Sequence, residues 1–196
     1  MSESTRRSAL KAAVGTAGLA ATTLVLAACG GDTTERYDTG FVEGSGVSTE
    51  IDADERGAAL DVTGTTYGGE EFSLASHRGS VVVLNVWYAA CAPCRKEAPD
   101  LKAIAEDYET DGVSFIGVNV RDAAGPAAAF EETYAIPYPS IPDPEGTILY
   151  ALRGQVAPNA VPSTLVFDRE SRVAARISGV ADPSILRAMI DRVLSE

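Results

Sequence analysis

The sequence predicts an α/β protein of three layers, and three observations carry that prediction. Strand-like and helix-like segments alternate from about residue 58 onward. The run Val81 to Val86 is apolar except for Asn85. The chain ends on a strand–turn–strand followed by an amphipathic helix. A continuous apolar run suits a strand buried on both faces, and alternating helices cover such a sheet on its two sides. The expected order is β-β-β-α-β-α-(β)-α-β-β-α.

Each element has its own signal. Ala59 to Val62, the turn-like Thr63-Gly64-Thr65 and Glu71 to Leu74 suggest a short β-hairpin extension or two edge strands ahead of the main sheet. Val81 to Val86 is the central strand. A helix from Cys91 to about Tyr108 follows, with Leu101, Ile104, Ala105 and Tyr108 at helical spacing. Pro99 lies inside it and should kink it. Val113 to Val120 reads as the next strand, and Gly125-Pro126 opens a helix to about Tyr134. The proline-dense stretch Ile136 to Pro144 reads as a surface connection around a short strand, and Thr147 to Leu152 as a short helix. Thr164 to Phe167 and Val173 to Ile177 are strands joined by Asp168 to Ser171. Asp182-Pro183 caps a last helix, whose Ile185, Leu186, Met189, Ile190 and Val193 share one face.

Residues 1–57 read as export and tethering segments. Arg6, Arg7 and Lys11 precede an uncharged run of 17 residues, Ala12 to Ala28. The run is only mildly apolar, whereas a membrane span wants about 20 strongly apolar residues. Thr5 to Lys11 looks like a twin-arginine signal, with Ala9 where phenylalanine is usual. Leu26-Ala27-Ala28-Cys29 is similar to a bacterial lipobox, which would make Cys29 the lipidated first residue of the mature chain. A plain secretory signal with an unrelated cysteine is the alternative. Residues 29–57, rich in Gly, Ser, Thr, Asp and Glu, read as a flexible tether, and residues 58–196 as the folded domain.

Charge narrows the partners. The chain of 196 residues carries a formal charge of −12. Residues 1–28 hold three basic side chains and one acidic, so the mature part stands near −14. Such a body argues against nucleic acid and against electrostatic adhesion to anionic lipid, leaving membrane attachment to an acyl anchor.

The three cysteines are Cys29, Cys91 and Cys94. A disulfide closing a ring of four residues constrains little of the unfolded chain, so Cys91 and Cys94 suit redox chemistry better than stapling. At the first turn of a helix, unpaired N–H groups favour an anion. Cys91 is therefore expected to be the exposed nucleophile, with a lowered pKa, and Cys94 the buried resolving thiol. Cys91 would attack a substrate disulfide, and Cys94 would then attack Cys91 and release reduced substrate. Pro93 stiffens the turn between them. A zinc site would need two more ligands, and His77 is the only histidine. No metal and no cofactor beyond the Cys91–Cys94 disulfide is expected.

Around this pair, residues 58–196 resemble the TlpA/ResA-like family of extracytoplasmic thiol–disulfide oxidoreductases, which have a thioredoxin-like fold. Trp87 stands four residues before Cys91, Pro99 five after Cys94, and Glu97 six after Cys91. Val161-Pro162-Ser163-Thr164 is similar to the family's cis-proline loop, and residues 124–153 match its central αβ insert. Asn85 stands where cytoplasmic thioredoxins carry a buried aspartate. Ala160 and Ser171 depart from the pattern, each standing where glycine is usual.

The resemblance implies that Trp87 walls the dithiol and that Pro93, Val161 and Pro162 border the substrate, with the Val161 backbone pairing to it. It implies that Glu97 tunes the thiols and passes protons to Cys94, while Asn85 is a hydrogen-bonding core residue. The implied activity is reduction of specific protein disulfides, often those of apocytochrome c, at the outer face of the cytoplasmic membrane. Electrons would come from a membrane dithiol carrier. Without lipidation the protein would be secreted. Direction stays open, since about 30 mV of potential is worth about 1.4 kcal/mol, and a disulfide-forming oxidant is the first alternative. A thiol peroxidase lacks its Thr and Arg constellation here, and a copper metallochaperone lacks a histidine after Cys91.

Overall fold

The computed structural model describes residues 47–157 and 159–196. Residues 1–28, read as an export signal, and Cys29 lie outside these residues. Among the described residues no helix is long and apolar enough to cross a membrane. The strands are β1 (Val47–Glu50), β2 (Thr63–Thr65), β3 (Glu71–Ser73), β4 (Val81–Trp87), β5 (Val113–Asn119), β6 (Ser140–Pro142), β7 (Ser163–Phe167) and β8 (Val173–Ser178). The helices are α1 (Ala92–Tyr108), α2 (Ala124–Tyr134), α3 (Thr147–Ala151) and α4 (Pro183–Leu194).

Six strands form one sheet in the order β1-β8-β7-β4-β5-β6, while β2 and β3 pair separately as the expected hairpin. β4 runs parallel to β5 and antiparallel to β7, which places it in the middle of the sheet. Its side chains alternate between two cores. Val81 and Val83 face the core built by α1 and α4. Val82, Leu84 and Val86 face the core that holds α2, α3 and the hairpin. Two apolar faces explain why β4 reads as an unbroken run rather than an alternation. The result is the expected α/β/α sandwich with a thioredoxin-like order, and the insert contributes α2, β6 and α3.

Two expectations are corrected. The tether was expected to reach residue 57, but Val47–Glu50 is a strand paired antiparallel with β8. Its residues are mostly exposed, so it gains backbone hydrogen bonds without an apolar face, and no burial pattern marks it. Arg56, nominally tether, is 8% exposed and donates Nη1 to Asp168 Oδ2 at 3.1 Å and Nη2 to Glu196 Oε1 at 2.6 Å. Thr63-Gly64-Thr65 is a strand rather than a turn. The reversal falls instead at Thr66 to Glu70, where Thr66 N–H bonds Glu70 O at 2.9 Å.

Among the described residues two non-glycine residues take left-handed backbone. Ser171, where glycine is usual in the family, has φ 64° in the β7–β8 turn. Ala135 has φ 50° just after α2, where its N–H and that of Ile136 bond the last carbonyls of the helix. A Cβ is disfavoured there, and Ala135 is exposed. Ala135→Gly is expected to raise stability by about 0.5–1 kcal/mol, read as a Tm increase of about 1–4 °C in a thermal melt.

Candidate active site

The dithiol sits where β4 hands over to α1. β4 ends at Trp87, the chain turns through Tyr88 to Ala90, and Cys91 is the N-cap of α1. Cys91 N–H bonds Tyr88 O at 3.1 Å, which closes the turn. Pro93 lies in the first helical turn, where its missing N–H costs nothing. Cys94 N–H donates to Cys91 Sγ at 3.1 Å, so the sulfur takes up one of the orphan donors of the helix. Cys91 and Cys94 are joined as a disulfide, with Cα atoms 5.2 Å apart.

Cys91 was expected to be exposed, and the structure corrects this. Cys91 is 0% and Cys94 1% exposed. Joined to Cys94, one turn into the helix, Cys91 lies in the apolar core that also holds Trp87, Ala98, Phe130 and Val161. The exposed rim is left to Ala90 and Ala92, with Pro93 half-buried.

Glu97 lies on the inner side of α1, one turn beyond Cys94, and is 1% exposed. Its Oε1 accepts from Asn85 Nδ2 at 2.8 Å, and its Oε2 from Ala181 N–H at 2.9 Å. Asn85 also donates to Thr164 Oγ1 at 3.2 Å, across the β4–β7 ladder. Burial raises the Glu97 pKa to about 7, because the charged form loses water. The two hydrogen bonds oppose that rise, and Asp100 adds slightly to it. Asn85 is thus the hydrogen-bonding core residue expected.

Trp87 is 3% exposed, with its ring 4.3 Å from that of Phe130 and its Nε1 donating to Ser140 Oγ at 3.3 Å. The indole crosses β5 to reach β6, and Gly117 makes the crossing possible. A Cβ at Gly117 would lie 2.7 Å from Trp87 Nε1. Trp87, Cys94, Asn85, Phe130 and Tyr138 border a void of about 10 Å³, close to the minimum for one water. The Tyr138 hydroxyl is pushed up by burial, with Glu97 and Glu131 contributing.

The Val161–Pro162 bond is cis. Val161 is 9% exposed and packs in the same core as the disulfide. Its N–H bonds Asn159 O at 3.0 Å. Of the two Val161 backbone groups expected to meet a substrate, the N–H is therefore engaged.

The candidate residues Trp87, Cys91, Cys94 and Val161 share one core, and Glu97 joins them through Asn85. Sequence reasoning missed the support under the loop before Cys91. Asn119 Oδ1 accepts the N–H groups of Arg121 at 3.1 Å and Asp122 at 2.8 Å, an Asx-type turn. Asp122 Oδ2 accepts Ala89 N–H at 2.5 Å, and the Arg121 guanidinium lies 4.1 Å over the Tyr88 ring. Asn and Asp at the end of a strand are a usable turn signal, but nothing local says which loop they hold. His77 closes a short helical turn and packs on Phe72 with ring centroids 4.8 Å apart. Among the described residues no three His, Cys, Asp or Glu side chains are placed to hold a metal.

Comparison with known proteins agrees with this geometry. Residues 56–176 match the AhpC/TSA family. The thiol-disulfide oxidoreductase ResA of Geobacillus kaustophilus is 31% identical over 121 residues, covering 62% of this chain and 67% of that protein. A secreted thiol-disulfide isomerase from Corynebacterium glutamicum has a similar structure, with TM-score 0.72 and 28% identity over 79% of this chain and 96% of its own. A DsbF homologue from Corynebacterium diphtheriae has TM-score 0.66 and 32% identity over 77% of this chain and 96% of its own. Since the family match runs through more than half of the chain, this protein belongs to the AhpC/TSA family, as a thioredoxin-like member of the ResA type.

Proposed function

We propose that this thiol–disulfide oxidoreductase works outside the cytoplasm, anchored by a lipid on Cys29, and reduces the disulfides of specific proteins. Apocytochrome c before haem attachment is the substrate class that the family resemblance suggests, and a membrane dithiol carrier is the electron source. The observation that supports the exchange chemistry most, in whichever direction electrons flow, is Glu97, a buried carboxyl with a pKa of about 7 one turn from Cys94. A group so poised can accept or return a proton near neutrality.

In the reductive cycle the reduced dithiol meets a substrate disulfide. Cys91 Sγ, as thiolate, attacks one substrate sulfur, the substrate S–S bond breaks, and the other substrate sulfur leaves and takes a proton. Glu97 accepts the proton of Cys94, directly or through one water in the void that Cys94 and Asn85 share. Cys94 Sγ then attacks Cys91 Sγ, the mixed disulfide breaks, and the second substrate sulfur leaves. Two electrons pass to the substrate, and the protein is left as the disulfide found here. The N–H of Cys94, aimed at Cys91 Sγ, stabilises that sulfur whenever it carries charge. The Val161 carbonyl and the rim of Pro93 and Pro162 border the approaching chain.

A second reading is supported by the likeness to the secreted isomerase of C. glutamicum, namely formation or rearrangement of disulfides in exported proteins. Potential separates the two. The full chain, equilibrated in glutathione buffers, is expected to have a reduction potential below about −200 mV and to reduce insulin catalytically. A potential near the −120 mV or so of a strong periplasmic oxidant would overturn the reductive reading. Radiolabelled lipid should enter the wild type and not Cys29→Ser.

A further inference from the structure

Beside the dithiol the surface opens into a groove of about 390 Å³ that the exchange chemistry does not itself require. Ala89 and Arg95 form one wall, and they flank the dithiol in the chain, two residues before Cys91 and one after Cys94. The other wall is α2, where Pro126, Ala129 and Thr133 are exposed. Their short side chains leave the floor open. That floor is aromatic. Phe130 packs on Trp87 at 4.3 Å and on Tyr134 at 4.7 Å between ring centroids. These rings are held in place by the core before any ligand arrives.

Arg95 gives the groove a sign. Its Nε donates to Ala89 O at 2.7 Å, while Ala89 N–H is held by Asp122. The guanidinium is thus oriented by the same peptide that carries the chain into Cys91. Among the described residues no carboxylate lies within ion-pair distance of Arg95; it shares that state with Lys96 and Arg121, whereas Arg56, Lys102, Arg172, Arg187 and Arg192 are paired. In a chain of net charge −12, Arg95 thus offers an unpaired cation held at the rim of the dithiol. At physiological salt the screening length is about 8 Å, so the contact charge outweighs the distant acidic surface once a substrate has docked.

We propose that this groove is a side-chain subsite for the disulfide substrate. It takes an aromatic or large apolar side chain next to the substrate cysteine, and Arg95 pairs with a carboxylate beside that side chain. The inference rests on the oxidoreductase reading and narrows its substrate class to disulfides flanked by an acidic and an aromatic residue. The exchange chemistry is unchanged; the subsite acts on encounter and orientation.

The test uses the reduced full chain and four neutral-ended disulfides at about 0.15 M salt. Three are tetrapeptides, Glu-Phe-Cys-Gly, Lys-Phe-Cys-Gly and Glu-Gly-Cys-Gly, each as its symmetric disulfide. The fourth, hydroxyethyl disulfide, has no side chain to offer. Each rate is divided by the rate of the same disulfide with free dithiothreitol, which removes differences in leaving-group acidity. Glu-Phe is expected to outrun Lys-Phe by roughly threefold to fivefold, the size of a partly exposed ion pair. It is expected to outrun Glu-Gly by roughly tenfold, from partial burial of the ring. Arg95→Gln should bring the first ratio to about one, and Ala129→Trp, which fills the groove, should collapse the second. Ratios within one variant cancel any change in the thiols themselves. Absence of either preference in the wild type, or ratios that survive these substitutions, overturns the subsite. If hydroxyethyl disulfide reacts while the peptides are not discriminated, the subsite alone fails. If no disulfide reacts, the oxidoreductase reading fails with it.

Discussion

Cys94→Ala is expected to stop turnover and to leave Cys91 covalently joined to its substrate. In the wild type the resolving sulfur is intramolecular, one turn along α1, with the Cα atoms 5.2 Å apart. Well-oriented intramolecular groups act with effective molarities on the order of 10⁵ M or more. External thiols at millimolar levels cannot replace that, so steady-state reduction of insulin should fall by on the order of 10³-fold or more. The intermediate should accumulate as a mixed disulfide visible on a non-reducing gel and mapped to Cys91 by mass spectrometry. Cys91→Ala should be equally inactive and should form no such adduct, because Cys94 lies one turn inside the helix, beyond the N-cap position of Cys91 where the unpaired N–H groups of the helix start favour a thiolate. Either variant loses the disulfide, whose ring of four residues is worth about 2 kcal/mol by loop-closure entropy. A cooperative melt therefore separates loss of chemistry from loss of fold. Adducts through Cys94 in the Cys91→Ala variant would reverse the assigned roles.

Much of this site was legible in the sequence, and the misses share a physical cause. β4 was legible because burial on both faces forces an unbroken apolar run, and α4 because Asp182 accepts the N–H groups of Ser184 and Ile185 in the cap. Those are local effects, written within a few residues of where they act. β1 was not legible. An exposed edge strand is held by the backbone of β8, where Val47 pairs with Ser178 near the other end of the chain, and Val-Ser-Thr-Glu carries no pattern of its own. Arg56 fell in the stretch read as tether on its composition. It is buried here only because Asp168 and Glu196 arrive from the far end of the chain. The same holds at the active site. The spacing of Cys91, Cys94 and Glu97 along α1 was readable as helix geometry, but the contacts of Ala89 with Asp122 and of Trp87 with Ser140 depend on which loops the sheet brings together. The exposure assigned to Cys91 failed for a tertiary reason. Position at a helix start predicts an open sulfur, but the core around Trp87, Phe130 and Val161 closes over the Cys91–Cys94 pair.

Glu97→Gln should stabilise the oxidised protein at neutral and alkaline pH while impairing its chemistry there. In the folded protein burial lifts the Glu97 pKa from 4.5 to about 7. Below pH 4.5 the carboxyl is protonated in both folded and unfolded chains, and its burial carries no charge penalty. Between 4.5 and about 7 the unfolded chain gives up the proton and the folded chain keeps it, so stability falls as pH rises and levels off above the folded pKa. A shift of this size corresponds to roughly 3 kcal/mol. The glutamine variant lacks that fall, so its advantage in denaturant midpoint should grow from pH 5 to pH 8. Glutamine also fits the pocket. Its carbonyl can accept Ala181 N–H, and its amide can face Asn85 once the Asn85 amide turns over and accepts from the Thr164 hydroxyl. Alanine could do neither and would leave two buried donors unpaired, so the amide is the cleaner probe. Because glutamine cannot take a proton from Cys94, resolution of the mixed disulfide should slow by about a hundredfold or more near neutrality, the usual range for a lost general base, and the rate should lose its limb near pH 7. A carboxyl that merely filled space would show the stability difference alone. If the limb near pH 7 persists in Glu97→Gln, the proton of Cys94 goes elsewhere, and the assignment of Glu97 to proton transfer is wrong even though its burial is real.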